Sequence, residues 1–141
     1  MRTAISLPSV LRLLLGSFML LAGIAHLTVQ RTVFRAQVPD WLPQDPAFVD
    51  FVVIASGVVE MVLGLALLLL KKYRAAAGIA LAVFFILIFP GNISQYTNRI
   101  DAFGLDTDQK RFIRLFFQPV LIWWALWSTG ALQAFLRRKQ P

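Results

Sequence analysis

Five residues of this chain can do chemistry from within strongly apolar surroundings: His26, Glu60, Asn92, Arg114 and Gln118. Glu60 stands out most. It lies near the middle of residues 51–70, FVVIASGVVEMVLGLALLLL, a run of 20 residues with no other charge. At ~1.5 Å rise per residue such a run covers the ~30 Å of bilayer hydrocarbon, which leaves the carboxyl near the midplane. A carboxylate there costs roughly 2.5–3.5 kcal/mol on insertion scales, so it has to be protonated, paired or turned to a polar cavity. A carboxyl and an imidazole within hydrogen-bond reach can exchange protons, an arginine can hold an anion, and side-chain amides can bond a polar head group. Each residue also has a plainer use. His26 can sit at the headgroup boundary, Asn92 can serve carbonyls that Pro90 leaves without a donor, and Arg114 can snorkel. Gln118, beside Pro119, can bond a freed carbonyl, and Glu60 can cap a neighbour's hydroxyl or amide.

The composition places these residues in a membrane. The chain has 141 residues, 58% of them hydrophobic and only 15% charged, where a soluble domain carries about 25% charge. That length suits one domain, here residues 1–141. The net charge of +7 does not indicate nucleic acid, because the basic residues flank apolar runs and form no stripe with interleaved aromatics. With no cysteine and a single histidine, disulfides, thiolate nucleophiles, cysteine-based metal or iron–sulfur sites and multi-histidine metal or haem sites are excluded within one chain. No metal site is expected.

Four apolar segments, at about 10–29, 48–70, 75–96 and 112–136, predict an all-α, integral membrane, antiparallel four-helix bundle. The first also has the make-up of a signal peptide, with Arg2 and Arg12 before an apolar stretch and the small residues Gly23 and Ala25 near its end. It is longer than a usual signal core and is read as a retained span. VPDWLPQDP, in the loop 30–46, holds three prolines that bar a regular helix, with Trp41 at headgroup level. KKYR at 71–74 is a tight connection, so the second and third spans are expected as antiparallel neighbours. The third is expected to break at PGN, residues 90–92.

Charge orients the spans. Arg2, Arg12, Lys71, Lys72, Arg74, Arg137, Arg138 and Lys139 gather on one side with no acid among them. The two other loops and their flanks mix six basic residues with six aspartates. By the positive-inside rule both termini are cytoplasmic in a multi-pass membrane protein. His26, Asn92, Arg114 and Gln118 then fall in the outer half, with Glu60 below them as a floor. Gly16, Gly23 and His26 share one helix face, as do Gly57, Glu60 and Gly64. Glycines on such faces let backbones approach closely.

The stretches AGIAHL (22–27), VPDWLP (38–43), SGVVEMVLGLALLL (56–69), FPGNI (89–93) and RLFFQPVLIWWA (114–125) resemble, in order, those of the DoxX-like family of small four-helix membrane proteins. The family's characteristic positions fall on His26, Glu60, Asn92, Arg114 and Gln118. The resemblance implies fold and location more than activity: its founding relatives are subunits of thiosulfate:quinone oxidoreductase and terminal oxidase complexes, others are linked to oxidative-stress partners, and distant ones look like assembly chaperones or cargo receptors. The absence of cysteine argues against thiol chemistry in this chain itself.

Three functions follow as expectations. The first is an accessory or binding subunit of a membrane oxidoreductase system, not catalytic on its own. It would hold a lipophilic molecule with a polar head, such as a quinone, in an outer-half pocket. The second is an assembly partner whose polar groups only lock the helices together. The third, ranked last, is an acid–base enzyme or proton-coupled carrier using Glu60 and His26. The expected partners are the lipid bilayer, a membrane or oxidoreductase protein, and a second copy in a homo-oligomer.

Overall fold

In a computed structural model the chain is described over residues 4–140; Arg2, counted above on the basic side, lies outside the described residues. The described residues form six α-helices: α1 (Leu7–Leu27), α2 (Arg31–Phe34), α3 (Pro46–Leu69), α4 (Arg74–Thr97), α5 (Asp108–Ser128) and α6 (Ala131–Arg138). Of the long helices, α1, α3 and α5 begin at side chains that accept from otherwise unpaired first-turn amides. Ser6 caps α1, Asp45 accepts from the Phe48 amide at 3.2 Å, and Thr107 accepts from the Lys110 amide at 3.2 Å. Pro46 opens α3 where its missing N–H costs nothing.

By length and composition α1, α3 and α4 can each cross a membrane, and α5 with α6 makes a further candidate bent by 74°. The expected continuous helix over 112–136 is therefore two helices. Gly130 makes the corner, with φ at +79°, a conformation that costs glycine nothing sterically. Thr129 donates its hydroxyl to the Ala125 carbonyl at 2.7 Å and packs where Gly78 of α4 has no side chain.

The expected break at residues 90–92 is absent: α4 runs unbroken through Pro90 to Thr97. Proline removes the bond that Ile86 would have accepted. One residue earlier, the Phe85 carbonyl receives the Gln118 side-chain amide of α5 at 2.6 Å. A polar side chain from a neighbouring helix thus braces α4 beside the proline.

Two helix pairs dominate the packing. α1 lies antiparallel on α3 and α4 lies on α5, while lesser contacts of α1 with α5 and of α3 with α4 join the pairs. The tight 71–73 turn makes α3 and α4 consecutive, yet the close seam of α3 is with α1. Four glycines set that seam. A Cβ on Gly57 would come within 2.6 Å of the His26 Cβ, and one on Gly64 within 2.7 Å of the Leu20 amide. Gly16 and Gly23 stand equally close from the α1 side. Without a hydrophobic drive between helices in lipid, such backbone proximity and interhelical hydrogen bonds provide the attraction.

Leu15, Met19, Leu67, Leu81, Phe85 and Ala125 fill one half of the interior. At that end Arg12, buried, donates to the Leu67 carbonyl, and the Trp124 indole donates to Leu11 at 3.0 Å. At the opposite end the 28–45 and 98–107 connections meet, with Asn98 donating to Asp40 and Phe103 edge-on to Phe34.

Candidate functional site

The α1/α3 seam places the imidazole of His26 against the carboxyl of Glu60. Gly57, one turn before Glu60, leaves the room that the His26 Cβ needs. His26 Nδ1 lies 2.8 Å from Glu60 Oε2 and 3.0 Å from the Ala22 carbonyl oxygen, and both residues are about 6% exposed. The N–H direction favours Ala22, so Oε2 has no aligned donor of its own. Two arrangements satisfy the short distance: an Nδ1–H shared between both acceptors, or a carboxyl O–H donating to bare Nδ1. In either, one proton sits between ring and carboxyl, and Nε2 is left for a third partner. The separation also meets the geometric requirement for an acid–base pair.

A ring of Phe34 stacks on the imidazole, centroids 3.3 Å apart and 18° from parallel, and Phe103 meets Phe34 edge-on at 4.8 Å. Phe103 holds a left-handed backbone, φ +56°, which is rare for a bulky residue and marks strain in the connection roofing the site. Arg31 and Arg35 pin the other connection by pairing with Asp50 at the start of α3. That hydrogen bond raises the Arg31 guanidinium above its ordinary value.

Beneath this roof is a half-open cavity of about 730 Å³. Its wall is mostly apolar, including Phe84, Ile88 and Leu121. Its polar groups are few: His26, Glu60, Ser56, Gln30, Gln37 and Arg114. Phe18, Leu21 and Leu87 line it while remaining exposed on the outer helix surface, so the space reaches the apolar exterior of the helices.

The structure divides the five sequence candidates. His26, Glu60 and Arg114 line the cavity. Asn92 and Gln118, both buried, lie in the α4/α5 seam beside it and are engaged with each other and with backbone. Asn92 faces Gln118 Oε1 at 3.5 Å, Arg114 donates to the same oxygen at 3.3 Å, and Gln118 Nε2 holds Phe85. Gln37 donates to Asn92 at 3.2 Å and to Gln95 at 3.3 Å, and Gln95 in turn donates to the carbonyls of Ile100 and Ala102. Gln37, Phe34 and Phe103 escaped the sequence reading because they reach the site from connections. Their one local signal is Gly91, where a Cβ would strike the Gln37 carbonyl.

Replacing Gln118 with leucine removes the side-chain donor to the Phe85 carbonyl and the acceptor shared by Asn92 and Arg114. A stability loss of about 1–3 kcal/mol is expected, read as a lower unfolding midpoint in mild detergent. An unchanged midpoint would show that the seam does not depend on this side chain.

The chain is all-α, with several helices long and apolar enough to cross a membrane packed around a buried ionisable pair and an amphipathic cavity. The chain belongs to the family described as a domain of unknown function (DUF8561), whose sequence model matches residues 15–129. No curated protein and no solved structure matches it.

Proposed function

We propose that this protein is an integral membrane binding subunit that holds a lipophilic molecule with a polar head, of quinone type, in the cavity beside His26 and Glu60. The observation that carries this reading is the 2.8 Å pair of His26 and Glu60 set in the wall of an otherwise apolar space of about 730 Å³. Small-molecule sites have this size and this sparse polar lining. The head group would meet His26 Nε2 and the Arg114 guanidinium, and the tail would lie along Phe84, Ile88 and Leu121 toward lipid. The pair can give or take one proton at the head while its total charge stays low in the apolar interior. Electrons would come from a partner protein, which makes the chain an accessory component of a membrane oxidoreductase system.

The same reading takes the helices as an antiparallel four-helix bundle in a bacterial inner membrane, both termini cytoplasmic. Its support is the asymmetry of basic residues between the two ends. Kinship with the DoxX-like family is part of the proposal and rests on the motifs around His26, Glu60, Asn92, Arg114 and Gln118.

Titration with a short-tailed ubiquinone, followed by native mass spectrometry, tests the reading. One bound quinone per chain is expected, with affinity reduced by on the order of ten-fold in Glu60→Gln, the loss of about one charge-assisted hydrogen bond. Absence of binding, or binding indifferent to Glu60→Gln, would contradict it. A second reading is favoured by the Asn92, Gln118, Gln95 and Gln37 network, whose members bond one another and the backbone: an assembly partner whose polar core is structural. Capture of a membrane partner that survives loss of the His26 and Glu60 pair would support that alternative.

A further inference from the structure

The opposite end of the molecule carries a second, smaller hollow of about 310 Å³, between the start of α1, the start of α4 and the α5/α6 corner. Its lining includes Ser9, Arg74, Trp127, Ser128, Gln133 and Arg137. Among the described residues neither Arg74 nor Arg137 has a carboxylate within ion-pairing distance; the ion pairs of the molecule lie elsewhere. Cations gathered in this way call for an anion between them.

Two further atoms point the same way. The Ser128 hydroxyl, on a residue only 3% exposed, and the Gln133 carbonyl oxygen are both buried without a hydrogen-bond partner. An unmet hydroxyl donor and an unmet acceptor in one hollow match a ligand that offers both a phosphate and a hydroxyl. The helix beside them supplies the setting. α6 turns away from α5 by 74°, with Ala131, Leu132, Phe135 and Leu136 on one face and Gln133 and Arg137 one turn apart on the other. A helix of that pattern ending in basic residues lies in the plane of the membrane interface, at headgroup depth.

We infer that this hollow is a binding site for the headgroup of an anionic phospholipid. Arg74, Arg137 and the Ser128 hydroxyl hold the phosphate, and Gln133 accepts from a headgroup hydroxyl such as that of phosphatidylglycerol. The site is independent of the cavity beside Glu60 and stands whether or not that cavity takes a quinone. Held there, a lipid ties α1, α4 and α6 together at the end where, among the described residues, Arg12 and Trp124 bridge the helices by side chain to backbone.

The full chain is to be exchanged into mixed nanodiscs of phosphatidylcholine and phosphatidylglycerol, and the lipid retained on release is to be counted by native mass spectrometry. One phosphatidylglycerol should be retained over phosphatidylcholine by on the order of ten-fold, the worth of two interfacial arginines. Arg74→Gln with Arg137→Gln should remove that preference, and inorganic phosphate at millimolar concentration should leave it intact. Equal retention of the two lipids by the wild-type chain overturns the inference and requires no variant to fold. Displacement by inorganic phosphate also overturns it, because the site then serves a free anion.

Discussion

Leucine in place of Gly57 should force the α1/α3 seam apart. The position has no space: a single Cβ already falls within 2.6 Å of the His26 Cβ and 3.2 Å of the Gly23 carbonyl. Leucine must push α1 away from α3 along the faces shared by Gly16, Gly23 and Gly64. Overpacking of this kind costs about 1–3 kcal/mol and more when backbone is the obstacle; here roughly 3 kcal/mol is expected, a large fraction of the ~5–15 kcal/mol that holds a typical fold together. Val58→Leu, next in sequence but half-exposed on the outer surface, is the control and should leave the unfolding midpoint in place. Equal behaviour of the two variants would mean that the glycine contacts do not set the helix spacing.

The second large effect separates stability from binding. Glu60→Leu removes one partner of a buried pair and leaves the imidazole alone, a change that costs about 3–5 kcal/mol where a charge is stranded. His26→Leu with Glu60→Leu replaces both partners by apolar groups, and removing both members of a buried pair is often neutral or stabilising. The double variant should therefore recover most of the unfolding midpoint lost in the single one. Its quinone affinity should nevertheless be lost, because the head group then meets no polar partner on that wall. A double variant that folds and still binds would transfer the site to Arg114 and Gln37. A double variant less stable than either single variant would mean that the pair itself holds the helices together.

Much of this arrangement can be read from the amino-acid order, and its limits are physical. The spacing of Gly16, Gly23 and His26, and of Gly57, Glu60 and Gly64, puts small residues and one ionisable group on single faces, and those two faces meet. Helical periodicity gives a face but not the neighbour that faces it. For that reason Asn92 and Gln118 fall beside the cavity and not among its lining. Proline at position 90 suggests a break by local rules alone; the Gln118 amide that braces the helix beside it comes from 28 residues further along the chain. The Thr129 and Gly130 corner is hidden in an apolar, tryptophan-rich run whose hydropathy reads as one span. Arg12 and Arg111 were counted among flanking charges, yet both are buried. Arg12 bonds the Leu67 carbonyl, while Arg111 pairs with Asp101 and Asp108 and donates to Leu105. Burial of an arginine depends on distant acceptors that composition does not reveal.

The single histidine of this chain permits a direct test of the central proposition, that one proton is held between His26 Nδ1 and Glu60 while Nε2 faces a space open to a ligand. Nitrogen-15 histidine labelling in lipid bilayers gives one ring and two nitrogen resonances to follow by solid-state NMR. Glu60→Gln should move the Nδ1 resonance, and a short-tailed ubiquinone should move Nε2 in the wild-type chain. A spectrum unaffected by either change would contradict the pairing and the site built on it.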